Sequence, residues 1–334
     1  MTAISAHSVR RSLPALSGQT GYILLLFGVT ALLMPLSRFV SPSLGSWSTV
    51  SAILVISSML VLVGFGQGLV ILVGELDLSI ASVIALTGVL TTAWLGESPS
   101  LVTFLEILAI AVLIGVLNGI GVTVLKVPSF IMTLGSQLIV AGIALGYTKG
   151  TVPGTTPRFL GDLMLGKVLG VPTPILLLIG IAVVGFVIQR YTVFGRRLYA
   201  VGGNRATAAI AGVHVNRMIV GAFAVSSLCA ALTGMLLVGY GGGATLGMGD
   251  GYFLPSIAVV VVGGSSILGG RGNYLGTVAA TIFLQTISTL IQALGISQGW
   301  QTFIYGCLII AVVGLLKRDL ATKAGRLLTR PGKS

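Results

Sequence analysis

Long apolar runs, broken at short intervals by glycine, proline and basic residues, occupy most of this 334-residue chain. A bilayer's hydrocarbon core is crossed by an α-helix of about 20 apolar residues, each rising about 1.5 Å. Spans are predicted at about 21–37, 49–73, 79–95, 101–125, 128–148, 173–189, 218–239, 255–270, 273–295 and 300–316. Only Gly269-Gly-Arg-Gly-Asn273 separates the eighth from the ninth. The pattern predicts an all-α polytopic membrane protein of about ten transmembrane helices, not the alternating strands of a barrel. A tail at 1–20, a membrane domain at 21–317 and a basic tail at 318–334 complete the expected organisation. The tail is expected on the anionic lipid surface.

Ten spans place both termini on one side, and charge tests that placement. Arg10, Arg11, Lys126, Arg190, Arg196, Arg197, Arg205, Arg217, Arg271, Lys317, Arg318, Lys323, Arg326, Arg330 and Lys333 fall on the side of the termini. Arg38, Lys149, Arg158 and Lys167 fall on the other, a split of fifteen to four. The termini and the 190–217 loop are therefore expected in the cytoplasm, and the 149–172 connection outside. Arg10-Arg11 reads as a positive flank rather than a twin-Arg signal, because no small-residue cleavage site follows.

Composition agrees. Only 8% of residues are charged against 55% hydrophobic, where a soluble domain carries about 25% charged residues. The net charge of +12 sits at the edges of the apolar runs, so no nucleic-acid partner is expected. Cys229 and Cys307 lie inside spans, and His7 and His214 have no metal-ligand spacing, so neither a disulfide framework nor a metal site is expected. Gly115/Gly119 and Gly142/Gly146 have the spacing of close helix packing.

A short repeat is visible. Gly74-Glu-Leu-Asp-Leu-Ser-Ile-Ala81 aligns on Gly251-Tyr-Phe-Leu-Pro-Ser-Ile-Ala258, each before a Val- and Ile-rich run. The topology puts the two on opposite faces, as in an inverted repeat.

Candidate chemistry is sparse. Of seven acids, none falls at the centre of a span, which argues against a proton- or sodium-coupled carrier. Gln67, Glu75, Asp77, Ser79 and Asn118 are candidates for a pathway or gate. The plainer reading makes Asp77 or Ser79 a cap for the following helix. Asn118, Gln137, Gln285 and Gln292 either bond between helices or line a path for a hydroxylated solute. Gly332-Lys-Ser334 matches only the end of a phosphate-binding loop and no catalytic constellation exists, so no catalytic residue and no bound cofactor are expected.

The 190–217 segment holds five basic residues and no acid. Within it, Asn204 to Ala211 predicts a helix of about two turns, capped by Asn204 and ended by Gly212. Ala208, Ile210 and Ala211 are expected to form a small apolar surface for a partner. So short a helix is marginal alone, and docking would stabilise it.

Phe194-Gly-Arg-Arg-Leu-Tyr-Ala-Val-Gly-Gly-Asn-Arg-Ala-Thr-Ala-Ala-Ile-Ala-Gly-Val213 resembles the cytoplasmic loop of permeases from bacterial ribose-type ABC sugar importers. Gly74-Glu-Leu-Asp-Leu-Ser-Ile-Ala-Ser82, Lys126-Val-Pro-Ser-Phe130 and Val262-Gly-Gly-Ser-Ser-Ile-Leu-Gly-Gly-Arg-Gly272 are similar to further elements of that family, in order over 50–317. The resemblance implies a type II ABC importer-like fold in the bacterial inner membrane. It also implies a second permease copy or paralogue, ATPase subunits that bind ATP, and a periplasmic solute-binding protein. Gly203, Asn204, Arg205, Ala208, Ala209 and Gly212 would then couple the chain to the ATPase. Many members carry Gly at the place of Glu75 and an acid near Phe253-Leu-Pro255, departures that bear on the solute. Branched-chain amino acid or nucleoside permeases of the wider superfamily are the alternative.

Overall fold

The computed structural model describes residues 18–307, except 40, 97, 98 and 298, together with residue 310. The basic C-terminal tail, residues 1–17 and, within the span at 300–316, residues 308, 309 and 311–316 lie outside the described residues; 299–307 are helical. The chain runs α1 (Gly18–Leu36), α2 (Trp47–Leu72), α3 (Ile80–Leu90), α4 (Leu101–Thr123), α5 (Ser129–Thr148) and α6 (Arg158–Leu165). A two-stranded hairpin, β1 (Lys167–Val168) and β2 (Val171–Pro172), leads into α7 (Thr173–Tyr191). Then come α8 (Val193–Gly203), α9 (Arg205–Ile210), α10 (Val215–Gly241), α11 (Asp250–Val262) and α12 (Tyr274–Ala293).

Among the described residues seven helices are long and apolar enough to cross a membrane: α1, α2, α4, α5, α7, α10 and α12. The chain is an all-α multi-pass membrane protein. The predicted span at 79–95 is helical over Ile80–Leu95, whereas the one predicted at 255–270 is displaced to Asp250–Val262, and neither is long enough to cross as a straight helix. Helix α3 has eleven residues and continues as a five-residue π turn at Thr91–Leu95, and α11 has thirteen. At 1.5 Å per residue these reach about 24 and 20 Å, less than the roughly 30 Å of a hydrocarbon core. The apolar run after α11 continues past the helix, but Gly263-Gly264 interrupts it. Residues 263–273 then fold as a loop in which the Ser266 N–H donates to the Arg271 carbonyl at 2.9 Å.

Helices α2 and α10 form the centre, each with 67% of its span buried, against 17% for α1 and α5. From Ser57 to Leu72 every α2 residue is buried, as befits a helix apolar on all sides. The outer helices point Leu25, Leu32, Leu138, Ile139 and Val184 outwards, the surface hydrocarbon requires. Lipid supplies no hydrophobic drive between helices, so cohesion rests on close packing and polar bonds. Gly115 and Gly119 of α4 supply such packing, lying against Phe223, Ala224 and Val220 of α10. Gly142 and Gly146 do not; both face open space.

One face of the bundle carries α8, α9 and the connections after α2, α4 and α11, with Lys126, Arg190, Arg196, Arg197, Arg205, Arg217 and Arg271. The opposite face carries α6 and the hairpin, with Leu160 seated against Gly239 of α10 and Gly154 against Thr92. Helices α3 and α11 run in opposite directions and meet where Gly249 lies on Ala81 and Met248 on Gly88. The segments aligned in the repeat differ in form. Residues 75–79 are non-helical before α3, whereas 251–256 are already inside α11.

Candidate functional site

The 190–217 segment is more ordered than a basic loop. Thr192 opens α8 by accepting from the Gly195 N–H at 3.1 Å, and Phe194, Leu198 and Val201 pack along one face at helical spacing. This helix went unpredicted because its arginines and glycines obscured that spacing. Asn204 caps α9 as expected, its Oδ1 accepting from the Thr207 N–H at 2.9 Å. Gly212, with φ of +80°, lets the Val213 N–H turn back to the Ala208 carbonyl at 3.0 Å.

The face of α9 is not the one expected. Ala208 is 2% exposed and sits in the same core cluster as Leu198, Val201 and Ile219. Ile210 is 90% exposed, and Gly203, Asn204, Arg205, Ala209, Ala211 and Gly212 are exposed too. With alanines on both sides, a helix this short carries no periodicity to tell inside from outside.

Three backbone segments converge beside α9. The Gly270 N–H donates to the Leu72 carbonyl at 2.9 Å, satisfying an orphan acceptor at the end of α2. Gly202 of α8 closes on the same spot, where an added Cβ would lie 1.8 Å from the Leu72 oxygen and 2.5 Å from the Gly270 nitrogen. Arg205 spans to the segment leading into α3, donating to the Val73 carbonyl at 3.1 Å and pairing with Glu75 at 2.5 Å. Burial pushes the Tyr199 phenol up, against the pull of the Arg190 charge, and the hydroxyl donates to the Gly272 carbonyl at 2.6 Å. The 190–217 segment thus touches the connections that adjoin both short helices.

Deeper in, three of the five predicted pathway residues, Asp77, Ser79 and Asn118, come together in a hydrogen-bonded cluster. Asp77 is 2% exposed, its Oδ1 accepting from the Ser79 N–H at 3.0 Å and the Ser79 hydroxyl at 2.6 Å. Its Oδ2 accepts from the Ser226 hydroxyl of α10 at 2.8 Å. Asn118 of α4 donates to the Ser79 oxygen at 2.9 Å, joining three elements. Asp77 therefore does not cap α3 in the ordinary way; it fixes the helix entry to α10. Gln67 is fully buried, and both polar atoms of its side chain lack a partner. Glu75 stands apart from the cluster, on Arg205. Ser226 was missed by sequence reasoning; its signal is the Ser226-Ser227 pair inside an apolar run.

Comparison with known proteins agrees with this architecture. Residues 49–313 match the model of a family described as branched-chain amino acid transport system / permease component. The ribose import permease protein of Haemophilus influenzae is 33% identical over 298 residues, covering 87% of this chain and 92% of its own. The autoinducer 2 import system permease protein of an Enterobacter species is 33% identical, covering 88% and 84%. The D-allose transport system permease protein of Escherichia coli is 31% identical, covering 80% and 83%. No solved structure is detectably similar.

Proposed function

The chain belongs to the branched-chain amino acid transport system / permease component family, and on that premise we propose that it is the transmembrane subunit of an ATP-binding-cassette importer. Its solute is a monosaccharide or a similar hydroxylated molecule, as the names of its relatives support. In this reading the chain works in a bacterial inner membrane with the basic face in the cytoplasm, as the positive-inside rule requires. Separate ATPase subunits bind the ATP, a periplasmic protein delivers solute, and a second permease completes the pathway.

The observation that carries the reading is α9: a capped helix that holds Ile210 outward at 90% exposure on the basic face. An ATPase groove that receives Ile210 turns closure on ATP into a push on α9. Through Gly202 and Arg205 the push reaches the segments adjoining α3 and α11, and the inverted halves rock about the pathway between them.

Ile210→Glu tests this. ATP-driven uptake in proteoliposomes falls about a hundredfold or more, since a charge enters a desolvated contact. The ATPase no longer co-purifies, while the chain still inserts and unfolds at the wild-type temperature. Wild-type uptake would remove the reading. Ala208 is the wrong position for this test, because an acid there disrupts the protein's own core. Uptake of leucine with none of any monosaccharide would move the solute class to amino acids.

A further inference from the structure

The polar residues that the sequence places inside spans divide into two kinds. Asn118 and Gln137 bond between helices, to the Ser79 hydroxyl and, at 3.4 Å, from the Ser82 N–H. The side-chain amides of Gln285 and Gln292 have no hydrogen-bond partner among the described residues. Thr281, Gln285, Ser288 and Gln292 recur along α12 at helical spacing and share one face.

Beside this stripe is a cavity of about 300 Å³, bounded by α2, the first turn of α11 and residues 301–305 after α12. It reaches well into the membrane: Ile56 and Leu60 on its wall lie about 14 and 20 Å along α2 from Trp47 at 1.5 Å per residue. Gln285, Ser288, Gln292 and Gln301 line it with amide and hydroxyl groups, and Phe253 gives it an aromatic wall. The hydroxyls of Ser288 and Tyr305 bond each other at its side. No Lys or Arg is among its described lining residues, and the one carboxylate, Asp250, is on the exposed first turn of α11.

Amides both donate and accept, so they suit a ligand whose hydroxyls do the same. A charged solute finds little complement there, whereas a neutral one finds a few convergent polar groups on an otherwise apolar wall. We propose that this cavity is a binding site for a neutral pentose or hexose in transit, with Gln285 and Gln301 holding its hydroxyls and Phe253 covering one side. The proposal rests on the importer reading and gives it a location beside one of the short helices, where transporters of broken-helix construction hold their solutes.

The test uses the full complex with its ATPase and binding protein in proteoliposomes, and D-ribose and D-allose as radiolabelled probes. Gln285→Leu and Gln301→Leu each lower uptake about tenfold or more, as loss of a hydrogen bond to a substrate hydroxyl does. Both variants unfold at the wild-type temperature, and Gln285→Asn restores part of the uptake. Wild-type uptake in both leucine variants would overturn the proposal. In a Cys307→Ser background, Gln285→Cys reacts with a membrane-impermeant thiol reagent if the cavity opens to water. An unreactive thiol, buried by a second copy of the chain or by lipid, overturns the proposal whatever the solute. A wild-type complex that imports neither sugar but leaves Gln285→Cys reactive strikes the solute class and leaves a water-filled cavity in place.

Discussion

Helices α3 and α11 share a Gly-x-x-x-x-Ser-Ile-Ala frame and cross the bundle in opposite directions, yet opposite chemistry surrounds their N-terminal ends. At α3 the polar groups are consumed inside the protein: Asp77, Ser79, Ser226 and Asn118 bond one another. At α11 the corresponding turn borders a cavity lined by Gln285 and Gln292, whose amides have no partner among the described residues. Even the register differs, for Ser79 precedes its helix and Ser256 lies inside one. A shared frame therefore does not fix a shared role. In this reading the first end is a pinned pivot and the second a wall of the path.

Substitutions can break or sharpen that contrast. Gly202→Val has the largest expected effect, because its side chain would sit 1.8 Å from the Leu72 carbonyl and part the junction both helices share. ATP-driven uptake is lost in proteoliposomes, whatever happens at either helix entry. Asp77→Ala comes next. It strands the Ser79 N–H and the hydroxyls of Ser79 and Ser226 in the core, a cost of about 3 kcal/mol. Thermal unfolding in detergent then shifts down by several degrees. The matching change at the other end, Asp250→Ala, shifts it little, since that carboxylate is exposed. Equal shifts for the two would erase the contrast. Ser226→Ala falls between the two, with one buried bond lost for about 1 kcal/mol and the rest of the Asp77 contacts kept.

Hydropathy alone revealed the membrane class and the long helices, because apolar length is the quantity a bilayer selects. It placed α3 to within a residue but ran α11 past its end at Val262, since an apolar run does not record where a helix gives way to loop. The same blindness affected α9. Its cap and its stop were legible in Asn204 and Gly212, both local effects, whereas the burial of Ala208 depends on α8 folding beneath it. Glu75 and Asp77, two residues apart, both read as pathway or gate candidates. The turn after α2 sends one to Arg205 and the other into the core, and no periodicity in the sequence marks that division. Gln285 and Gln292 were visible as polar residues in a span, but Gln301, from the following helix, joins them only in the fold.

The junction at Gly202, Leu72 and Gly270 has a consequence for retargeting. It is made of backbone with no room for side chains, so it tolerates almost no change, and it stands about 18 and 24 Å along α2 from Leu60 and Ile56 on the cavity wall. The amides at 285 and 301 can therefore be exchanged without disturbing it. On the proposed reading, a designer seeking a new solute should leave the glycines alone and randomise the lining, because drive and selectivity would occupy separate parts of the chain.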